Sequence, residues 1–316
     1  MAKYKIEKTT NTKLWNDLVD KSPEGSIYCK TEFIECIDVN CTYFLVMKGE
    51  EIVGAAYMIE DENGRPLKNL PFVQYRNFIL FGVNTNVMEH KRISEQFKIS
   101  ELLIKEIVDT YGEYNPVLSP NFSDIRPFSW YNYHNPSNGT FTTANRYTSI
   151  LSKVSREEYI LQLRGSRRQE LKKAIDVEIV EYDDIQVLNE MHENTFKRQN
   201  LERSELDEKF LVSIGKAALD NDFGKLLVAK IEGKPVSAVL ILFDKNSAYY
   251  QFGATDSDFR NTGASTKLLF EAVLYAFEKL KVNKFDFVGV NSPNRGDFKL
   301  SFNGELRPYF ELNLVN

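Results

Sequence analysis

A short segment in the second half of the chain combines the features of an anion-binding site. A β-rich stretch over residues 248–254 runs into a loop of small and polar residues, and an amphipathic helix is predicted from about Ser265 to Leu280. Free backbone N–H groups and the dipole at such a helix start favour a bound negative charge. Gly263 would allow close backbone approach, and Arg260 could add a charge-assisted contact to a phosphate. The alternative is an ordinary helix start with a well-formed turn.

Motifs for other common catalytic chemistries are absent from the sequence. No Gly-x-Ser-x-Gly elbow occurs, and the three cysteines have no histidine nearby in sequence. There is also no Gly-x-x-x-x-Gly-Lys-[Ser/Thr] loop, and no Gly-x-Gly-x-x-Gly motif follows a strand. His90, His134 and His192 are far apart, and no cysteine–histidine cluster has metal-ligand spacing. The sequence therefore predicts no metal site and argues against nucleophilic, NTP-hydrolysing and dinucleotide-dependent chemistry.

The anion-site segment resembles the acyltransferases of the GNAT superfamily. Its stretch from Arg260 to Ser265 is similar to the [Gln/Arg]-x-x-Gly-x-[Gly/Ala] pyrophosphate loop of that superfamily. A wider pattern is similar to the FemAB-like branch, which has tandem GNAT domains. That pattern comprises Tyr250-x-Phe252-Gly253-Ala254-Thr255-Asp256, Gly263-Ala264, Phe285-Asp286-Phe287-x-Gly289 and Arg295-Gly296-x-Phe298-Lys299-x-x-Phe302-x-Gly304. Residues 167–173 and 194–198 extend the resemblance to nearly the whole second half.

The resemblance implies acyl transfer from acyl-CoA to an amine. Members of the superfamily bind acyl-CoA against a splayed strand whose backbone N–H groups polarise the thioester carbonyl. Such oriented donors stabilise an oxyanion by a few kcal/mol each. By this resemblance the N–H donors would come from Phe252, Gly253 and Ala254. The implied contacts to coenzyme A come from the following loop, from Arg260, Thr262, Gly263, Ala264 and Ser265.

Two residues are the main candidates for the catalytic groups, and two histidines are held in reserve. Asp286, at the end of a predicted strand beside the donor strand, is the candidate base for the attacking amine, although it could equally cap the following turn. Lys299 matches the lysine of the FemAB-like pattern, which implies stabilisation of developing negative charge or of a substrate phosphate; the alternative is a surface lysine on a short helix. His134 and His192 are reserve candidates. The region after Val290 lacks the tyrosine that many GNAT enzymes use as general acid.

FemAB-like proteins fall into two relevant classes. Some transfer amino acids from aminoacyl-tRNA to cell-wall precursors, and others transfer acyl groups from CoA to amines, including nucleotide-linked amino sugars. A formal charge of −5 counts against a nucleic-acid partner, and the phosphate-loop sequence counts for CoA. The sequence therefore favours an acyl-CoA-dependent N-acyltransferase acting on a nucleotide-linked amino sugar, such as a dTDP-linked 3-amino-3,6-dideoxyhexose. An aminoacyl-tRNA-dependent transferase and a non-catalytic binding module stay open.

Aromatic and basic residues outside the loop are candidates for holding the acceptor. Arg198 and a basic strip over residues 164–173 could hold a diphosphate, although the strip could also be an ordinary solvated face. The Pro/Asn/Ser-rich segment around Trp130 and His134 could stack a base or a sugar ring. The predicted substrate-binding residues are Arg198, Trp130, Tyr133 and Asn291.

The elements that must position these residues occur twice in the chain. Residues 44–56 and 226–239 each have the pattern of a β-hairpin. A strand, a helix and a short strand follow each hairpin, at about 77–81, 94–111 and 116–119 in the first copy and at about 247–254, 265–280 and 284–288 in the second. The repeat predicts an α/β fold of two tandem GNAT-like domains, each a mixed β-sheet flanked by helices.

The predicted domains are residues 1–150, without a cofactor loop, and residues 151–316, which would bind acyl-CoA. A strand at about 147–151 precedes the join, and a Ser-x-x-Glu capping box opens a helix over about 157–175. Gly165 weakens the middle of that helix by about 1 kcal/mol relative to alanine and predicts a kink there.

Composition is typical of a globular protein in water. The chain has 316 residues, of which 42% are hydrophobic and 27% charged, so it can bury a sizeable core without disulfides or a structural metal. Its longest apolar runs are far below the ~20 residues that span a bilayer. The N-terminus has no apolar signal region. We therefore expect a cytoplasmic protein with small-molecule substrates, no membrane partner and no nucleic-acid partner.

Overall fold

The computed structural model describes residues 4–68, 70–82, 87–198 and 200–315. The chain divides into two compact units, one formed by Met1–Arg146 with Pro308–Asn316 and the other by Tyr147–Arg307.

The first unit contains a four-stranded antiparallel sheet in the order β1-β2-β3-β4. Its strands are β1 (Tyr4–Thr9), β2 (Asn40–Lys48), β3 (Glu51–Glu60) and β4 (Ile79–Phe81), and its helices are α1 (Thr12–Lys21), α2 (Thr31–Cys36), α3 (Glu89–Tyr111) and α4 (Arg126–Ser129). Short 3₁₀ turns lie at Ile27–Cys29 and Pro136–Asn138. Strand β5 (Thr140–Ser152) leads into the second unit.

The second unit is built on a mixed sheet. Its helices are α5 (Arg156–Gln162), α6 (Gly165–Lys173), α7 (Gln186–Arg198), α8 (Glu205–Asp220), α9 (Ala264–Glu278) and α10 (Pro293–Leu300). Its strands are β6 (Glu178–Tyr182), β7 (Gly224–Ile231), β8 (Lys234–Phe243), β9 (Ser247–Thr255) and β10 (Lys284–Asp286), and β11 (Glu305–Val315) ends the chain. The seven-stranded sheet has the order β11-β5-β10-β9-β8-β7-β6.

The structure confirms the predicted fold class, because two β-sheets flanked by helices contain the two repeated hairpins as β2-β3 and β7-β8. The expected strand at 116–119 is reduced to isolated bridges at Val117. The last nine residues were expected in the second domain but group with the first unit. There the N–H of Leu118 donates to the carbonyl of Phe310 at 2.8 Å, and the N–H of Leu312 donates to that of Pro116 at 3.0 Å.

Helix α9 anchors the core of the second unit. Its apolar residues recur at helical spacing and are almost fully buried, among them Leu268, Leu269 and Val273. Burying each such side chain stabilises the fold by about 1.5–3 kcal/mol. The helix therefore fixes the position of the last residues of the predicted phosphate loop.

The helix predicted over 157–175 is two helices. The capping box is present, since the Ser155 hydroxyl accepts from the N–H of Glu158 at 3.3 Å. Helix α5 ends before Leu163, which has an extended backbone and packs in the core with 2% of its surface exposed. The chain therefore breaks just before Gly165, where the sequence predicted only a kink.

Among the described residues, no helix combines the length and apolarity needed to cross a membrane. The described part of the chain also holds no group of three His, Cys, Asp or Glu side chains placed to bind a metal ion.

Candidate active site

Strands β9 and β10 pair over only three residues and then separate. Their parallel register joins Ser247–Tyr249 to Lys284–Asp286, after which β10 ends and β9 continues to Thr255. On its other side β9 stays paired with β8, with a bulge at Gln251. Residues 250–255 therefore present one backbone edge of β9 beyond the end of β10, and we call this stretch the open edge.

The ladder between β8 and β9 decides which N–H groups face the open edge. Asp256 donates its N–H to the paired carbonyl on β8 at 2.9 Å, and hydrogen-bonded pairs alternate along an antiparallel ladder. The N–H groups of Phe252 and Ala254 therefore point toward β8, whereas those of Gly253 and Thr255 point to the open edge. Of the three predicted donors, only Gly253 has the orientation needed to polarise a carbonyl there.

The ammonium of Lys299 lies beside the open edge, 4.8 Å from the centre of the Tyr250 ring. It donates hydrogen bonds to the carbonyls of Val288 and Gly289, the latter at 3.2 Å. Both carbonyl residues are left-handed, with φ of +50° and +57°. A left-handed valine is rare and costs about 1–3 kcal/mol, a kind of strain that concentrates at functional sites. The turn thus directs two carbonyls onto one ammonium.

Burial shifts the titration of both partners in this contact. It lowers the pKa of Lys299 to about 8, with Asp286 acting in the opposite direction and Arg295 adding to the decrease. It raises the pKa of Tyr250 to about 12, against the opposing charge of Arg295. At neutral pH the site therefore holds a protonated phenol and an ammonium that can exchange its proton near pH 8.

The Tyr250 hydroxyl is a proton donor that the sequence analysis missed. A Cβ placed on Gly253 would lie 1.9 Å from the Tyr250 Oη, so this hydroxyl lies directly against the Gly253 backbone. Many GNAT enzymes carry a tyrosine after the position of Val290, and this sequence has none there. The phenol of Tyr250, on β9, is therefore a candidate for the role of that tyrosine. The i, i+2 spacing of Tyr250 and Phe252 did not predict this contact. The bulge at Gln251 changes the direction in which the Tyr250 side chain points.

Two arginines add positive charge around the same site. Arg295 is one helical turn before Lys299 on α10, and its charge acts on Lys299, Tyr250 and His192. Burial, followed by the charges of Arg203 and Arg295, lowers the pKa of His192 to about 4. The His192 ring is therefore neutral at pH 7. We call Arg203, Arg295 and Lys299 the cationic cluster.

His192 forms part of an aromatic wall next to β9. Its ring centre lies 5.2 Å from that of Phe196 and 6.4 Å from that of Phe252. A pKa near 4 makes it a weak base at neutral pH, because a general base works best with a pKa near the working pH.

Asp286 caps the turn after β10, which is the alternative that the sequence left open. Its carboxylate is 3% exposed and accepts the N–H of Val288 at 2.8 Å, together with the Thr148 hydroxyl. These bonds hold the left-handed turn that faces Lys299. The role of Asp286 as the catalytic base stays a prediction.

The remaining predicted substrate and catalytic residues are spread over both units. In the second unit, the Asn291 amide pairs with the backbone N–H and carbonyl of Tyr147 at 2.7 and 3.1 Å, and Arg198 is exposed at the end of α7. In the first unit, Trp130 and Tyr133 are exposed, and the His134 ring lies edge-on to Tyr133 at 5.3 Å.

Helix α6 lies against the predicted phosphate loop. The loop forms a 3₁₀ turn over Ser257–Thr262, and Gly263, with φ of +80°, precedes α9. A Cβ on Gly263 would lie 2.4 Å from the carbonyl oxygen of Glu170 in α6. The Glu170 carboxylate also accepts from the hydroxyl of Thr266 in the first turn of α9. Glu170, which also pairs with Arg167, therefore contacts the start of α9 through the Thr266 side chain.

These contacts cover part of the predicted pyrophosphate loop. Gly263 and Ala264 are buried, and the N–H of Ala264 donates to the Thr262 hydroxyl at 3.3 Å. Of the other predicted contacts, Arg260 is exposed at the surface and Ser265 is partly buried. The Cα side of Gly263 and the side chain of Thr266 are thus packed against α6.

The basic strip is only partly available to a ligand. Arg164 forms a two-bond pair with Asp297 at 2.8 and 2.9 Å, and Arg167 pairs with Glu170 at 2.5 Å. Lys172 and Lys173 are exposed on α6.

The comparisons with known proteins agree with this fold. Residues 162–300 match the family model of the acetyltransferase (GNAT) domain. No protein of curated function matches the sequence. Among solved structures, FemX has a TM-score of 0.68 at 14% identity, covering 96% of this chain and 96% of FemX.

Two further structures of similar size share the fold. A conserved protein of unknown function from Bacteroides thetaiotaomicron has a TM-score of 0.60 at 11% identity, with 100% of both chains covered. A tandem GNAT protein from the clavulanic acid biosynthesis pathway has a TM-score of 0.54 at 10% identity, covering 99% of this chain and 98% of that one. The predicted resemblance is confirmed at the level of the domain and the fold: residues 162–300 match the GNAT acetyltransferase domain model, and the chain shares its fold with FemX and with a tandem GNAT protein.

Proposed function

We propose that the protein transfers an acyl group to the amine of an anionic acceptor at the open edge of β9, and that its donor is an aminoacyl-tRNA. The GNAT domain indicates acyl transfer in general terms. The observation that carries the choice of donor is the contact of α6 with the start of α9, because α6 packs against the loop that acyl-CoA would need. An aminoacyl ester has no pyrophosphate and does not require that loop.

The open edge supplies the groups that aminolysis of an ester needs. The carbonyl oxygen of the donor accepts the Gly253 N–H, which stabilises the oxyanion formed when the neutral amine attacks. The C–N bond forms and the ester C–O bond breaks. The leaving ribose oxygen takes a proton from the Tyr250 hydroxyl, which burial keeps protonated, and the proton lost by the attacking amine returns to the Tyr250 phenolate. Lys299, over the Tyr250 ring, offsets the negative charge that develops on the phenol and the oxyanion.

The cationic cluster supports an acceptor that carries phosphate or carboxylate groups. Arg295 and Lys299 add two positive charges beside Tyr250, and the charge of Arg295 also reaches His192. Arg203 adds a third charge near His192, where it is bonded to Asn189. Arginine forms charge-assisted hydrogen bonds to such anions. A nucleotide-linked cell-wall precursor with a free amine meets this requirement.

A second candidate is the acyl-CoA-dependent acyltransferase of a nucleotide-linked amino sugar that the sequence favoured. The observation in its favour is the match of residues 162–300 to an acetyltransferase domain, together with the Arg260–Ser265 sequence. It requires α6 to leave the start of α9 when the donor binds.

One assay distinguishes these candidates. The protein is incubated with a radiolabelled aminoacyl-tRNA pool or with a panel of acyl-CoAs, each in the presence of a nucleotide-linked cell-wall peptide precursor or a dTDP-amino sugar. We expect label to move from tRNA to the cell-wall precursor, with no thiol released from any acyl-CoA. Thiol release without use of tRNA would establish the second candidate, and turnover of neither donor would leave a binding module.

Replacing Gly253 by alanine should lower kcat about 100-fold. The new methyl group would lie 1.9 Å from the Tyr250 Oη and 2.6 Å from its Cζ. The Tyr250 ring must therefore move away from the backbone N–H of residue 253. Displacing a catalytic group by about 1 Å costs about this much in rate. Single-turnover acyl transfer measures the effect.

Gly165→Ala is the matched control for this substitution. A Cβ on Gly165 meets only the tip of Arg168, at 3.9 Å, and we expect it to leave kcat unchanged. Equal rates for Gly253→Ala and the wild type would rule out the proposed position of the reacting carbonyl.

A further inference from the structure

The first unit contains a cavity that the proposed reaction does not use. Its volume is about 540 Å³, within the range of small-molecule sites. Helix α3 forms one wall from Phe97 to Asp109, and the segment from Pro127 to Asn138 forms the other. All of its lining residues belong to the first unit, so it is distinct from the open edge of β9.

Trp130 is the aromatic platform of this cavity. Its side chain is 52% exposed, whereas Trp15, the other tryptophan of the chain, is fully buried. The indole packs against Phe97 at 5.5 Å between ring centres, and the Arg126 guanidinium lies 5.5 Å from both rings. Arg126 is held by two hydrogen bonds to Asp124, at 2.8 and 2.6 Å. The indole is thus fixed by its neighbours while half of its surface stays accessible.

The charges that line the cavity cancel. Lys105 pairs with Asp109 one turn along α3, and Lys98 lies 3.8 Å from Glu101. Two positive and two negative side chains leave a neutral lining. The cavity offers no excess positive charge to the phosphates of a nucleotide. Of the two ligands that the sequence left open for Trp130, a base and a sugar ring, the neutral lining therefore favours the sugar ring.

Amides complete the polar part of the wall. The Asn132 side chain donates to the carbonyls of Asn138 and Gly139 at 2.8 and 2.9 Å, and this fixes the segment that carries Trp130. Paired carboxylates, ammonium groups and amides offer both donors and acceptors to a ligand rich in hydroxyl groups. A half-exposed indole offers an apolar face to the C–H side of a ring.

We propose that this cavity binds a neutral saccharide, with one sugar ring stacked on Trp130 and its hydroxyls hydrogen-bonded by the polar side chains of α3 and Asn138. The inference goes beyond acyl transfer, since it assigns a glycan-binding site to the first unit. It is tested by binding alone and does not depend on the proposed reaction. A failure of the acyl-transfer assay would not contradict it, and a failure of saccharide binding would not contradict acyl transfer.

The test uses maltotriose, mannotriose and N-acetylchitotriose as neutral probes and UDP as the anionic comparison. We expect at least one trisaccharide to bind saturably, to shift the tryptophan emission and to reduce its quenching by acrylamide. Both changes report on Trp130, because the other tryptophan, Trp15, is already inaccessible to solvent. By calorimetry, Trp130→Ala should weaken that binding at least tenfold. Trp130→Phe keeps an aromatic ring and should weaken the binding less than Trp130→Ala does. If the alanine variant unfolds, the affinity of the phenylalanine variant provides the test.

Tyr133→Ala is the matched control. Tyr133 is 69% exposed on the same segment but does not line the cavity, and its loss should leave the affinity unchanged. The proposal is overturned if no trisaccharide binds saturably up to about 10 mM, since that corresponds to a binding free energy weaker than about 3 kcal/mol. It is also overturned if UDP binds more tightly than every trisaccharide, or if Tyr133→Ala weakens binding as much as Trp130→Ala.

Discussion

Replacing Lys299 by methionine should lower the rate of acyl transfer by about 10²–10³-fold, the usual cost of removing one oriented donor from an oxyanion site. Methionine keeps much of the side-chain length but removes the ammonium that lies over the Tyr250 ring and bonds the carbonyls of Val288 and Gly289. The measurement is the single-turnover rate at saturating donor, so that the loss is assigned to chemistry and not to binding.

The pH dependence of the rate gives the same substitution a second readout. Burial lowers the pKa of Lys299 to about 8, so its ammonium loses its proton as pH rises through that value. If the ammonium stabilises negative charge, the wild-type rate should fall above about pH 8. The methionine variant should lack this fall. A rise through pH 8 that the methionine variant lacks would make Lys299 a base.

Stability should change with pH in the opposite direction. In the unfolded chain this lysine keeps its ordinary pKa of 10.5, so between about pH 8 and that value the unfolded state binds more protons than the folded state. Stability therefore rises with pH across this window. Comparing the free energy of unfolding of the wild type and Lys299→Met at pH 8 and 9.5 isolates this effect before the tyrosines titrate.

Lys216→Met provides the matched control, because Lys216 is exposed on α8 and removing it tests only the loss of one charge. We expect its rate and its pH profile to equal those of the wild type. An unchanged rate in Lys299→Met, with the fold intact by circular dichroism, would remove the catalytic assignment and leave Lys299 as a support for the Val288 turn.

Local patterns in the sequence predicted much of the scaffold around this lysine. The two hairpins, the apolar face of α9 and the capping box at Ser155 depend on neighbouring residues, and each is present in the structure. The i, i+4 spacing of Arg295 and Lys299 could also have predicted a shared helix face. These features follow from local spacing, which a single sequence displays directly.

The features that decide the chemistry are tertiary and left weaker traces. The Tyr250 hydroxyl reaches Gly253 only because β9 is bulged, and Val288 is left-handed although a β-branched residue disfavours that conformation. Arg203 joins the cationic cluster through packing alone. The loop from Arg260 to Ser265 predicts a pyrophosphate site by its composition, yet Glu170, almost 100 positions earlier in the chain, contacts it.

That last contact leads to a second large effect, in which Gly263→Ala should destabilise the protein by about 2–5 kcal/mol. The left-handed backbone at Gly263, with φ of +80°, costs a non-glycine residue about 1–2 kcal/mol. In addition, the new Cβ would lie 2.4 Å from the Glu170 carbonyl oxygen, and overpacking of this kind costs about 1–3 kcal/mol more. Denaturant unfolding measures the total.

Gly233→Ala separates the two contributions. Gly233 has nearly the same φ, +78°, but nothing lies within 4 Å of a Cβ placed there, so only the backbone cost of about 1–2 kcal/mol should appear. The difference between the two variants is the cost of packing a methyl group against α6, and it shows how firmly α6 keeps its position. Equal destabilisation by both substitutions would mean that α6 yields without cost.

The size of this difference bears directly on the donor. Coenzyme A can occupy the loop only after α6 has moved, so its apparent affinity is reduced by the free energy of that displacement. At about 2 kcal/mol the reduction is roughly 30-fold. If the donor is an aminoacyl-tRNA and α6 stays in place, millimolar coenzyme A should leave the melting temperature of the wild type unchanged. A clear increase would show that the loop opens readily, and the donor would then be an acyl-CoA.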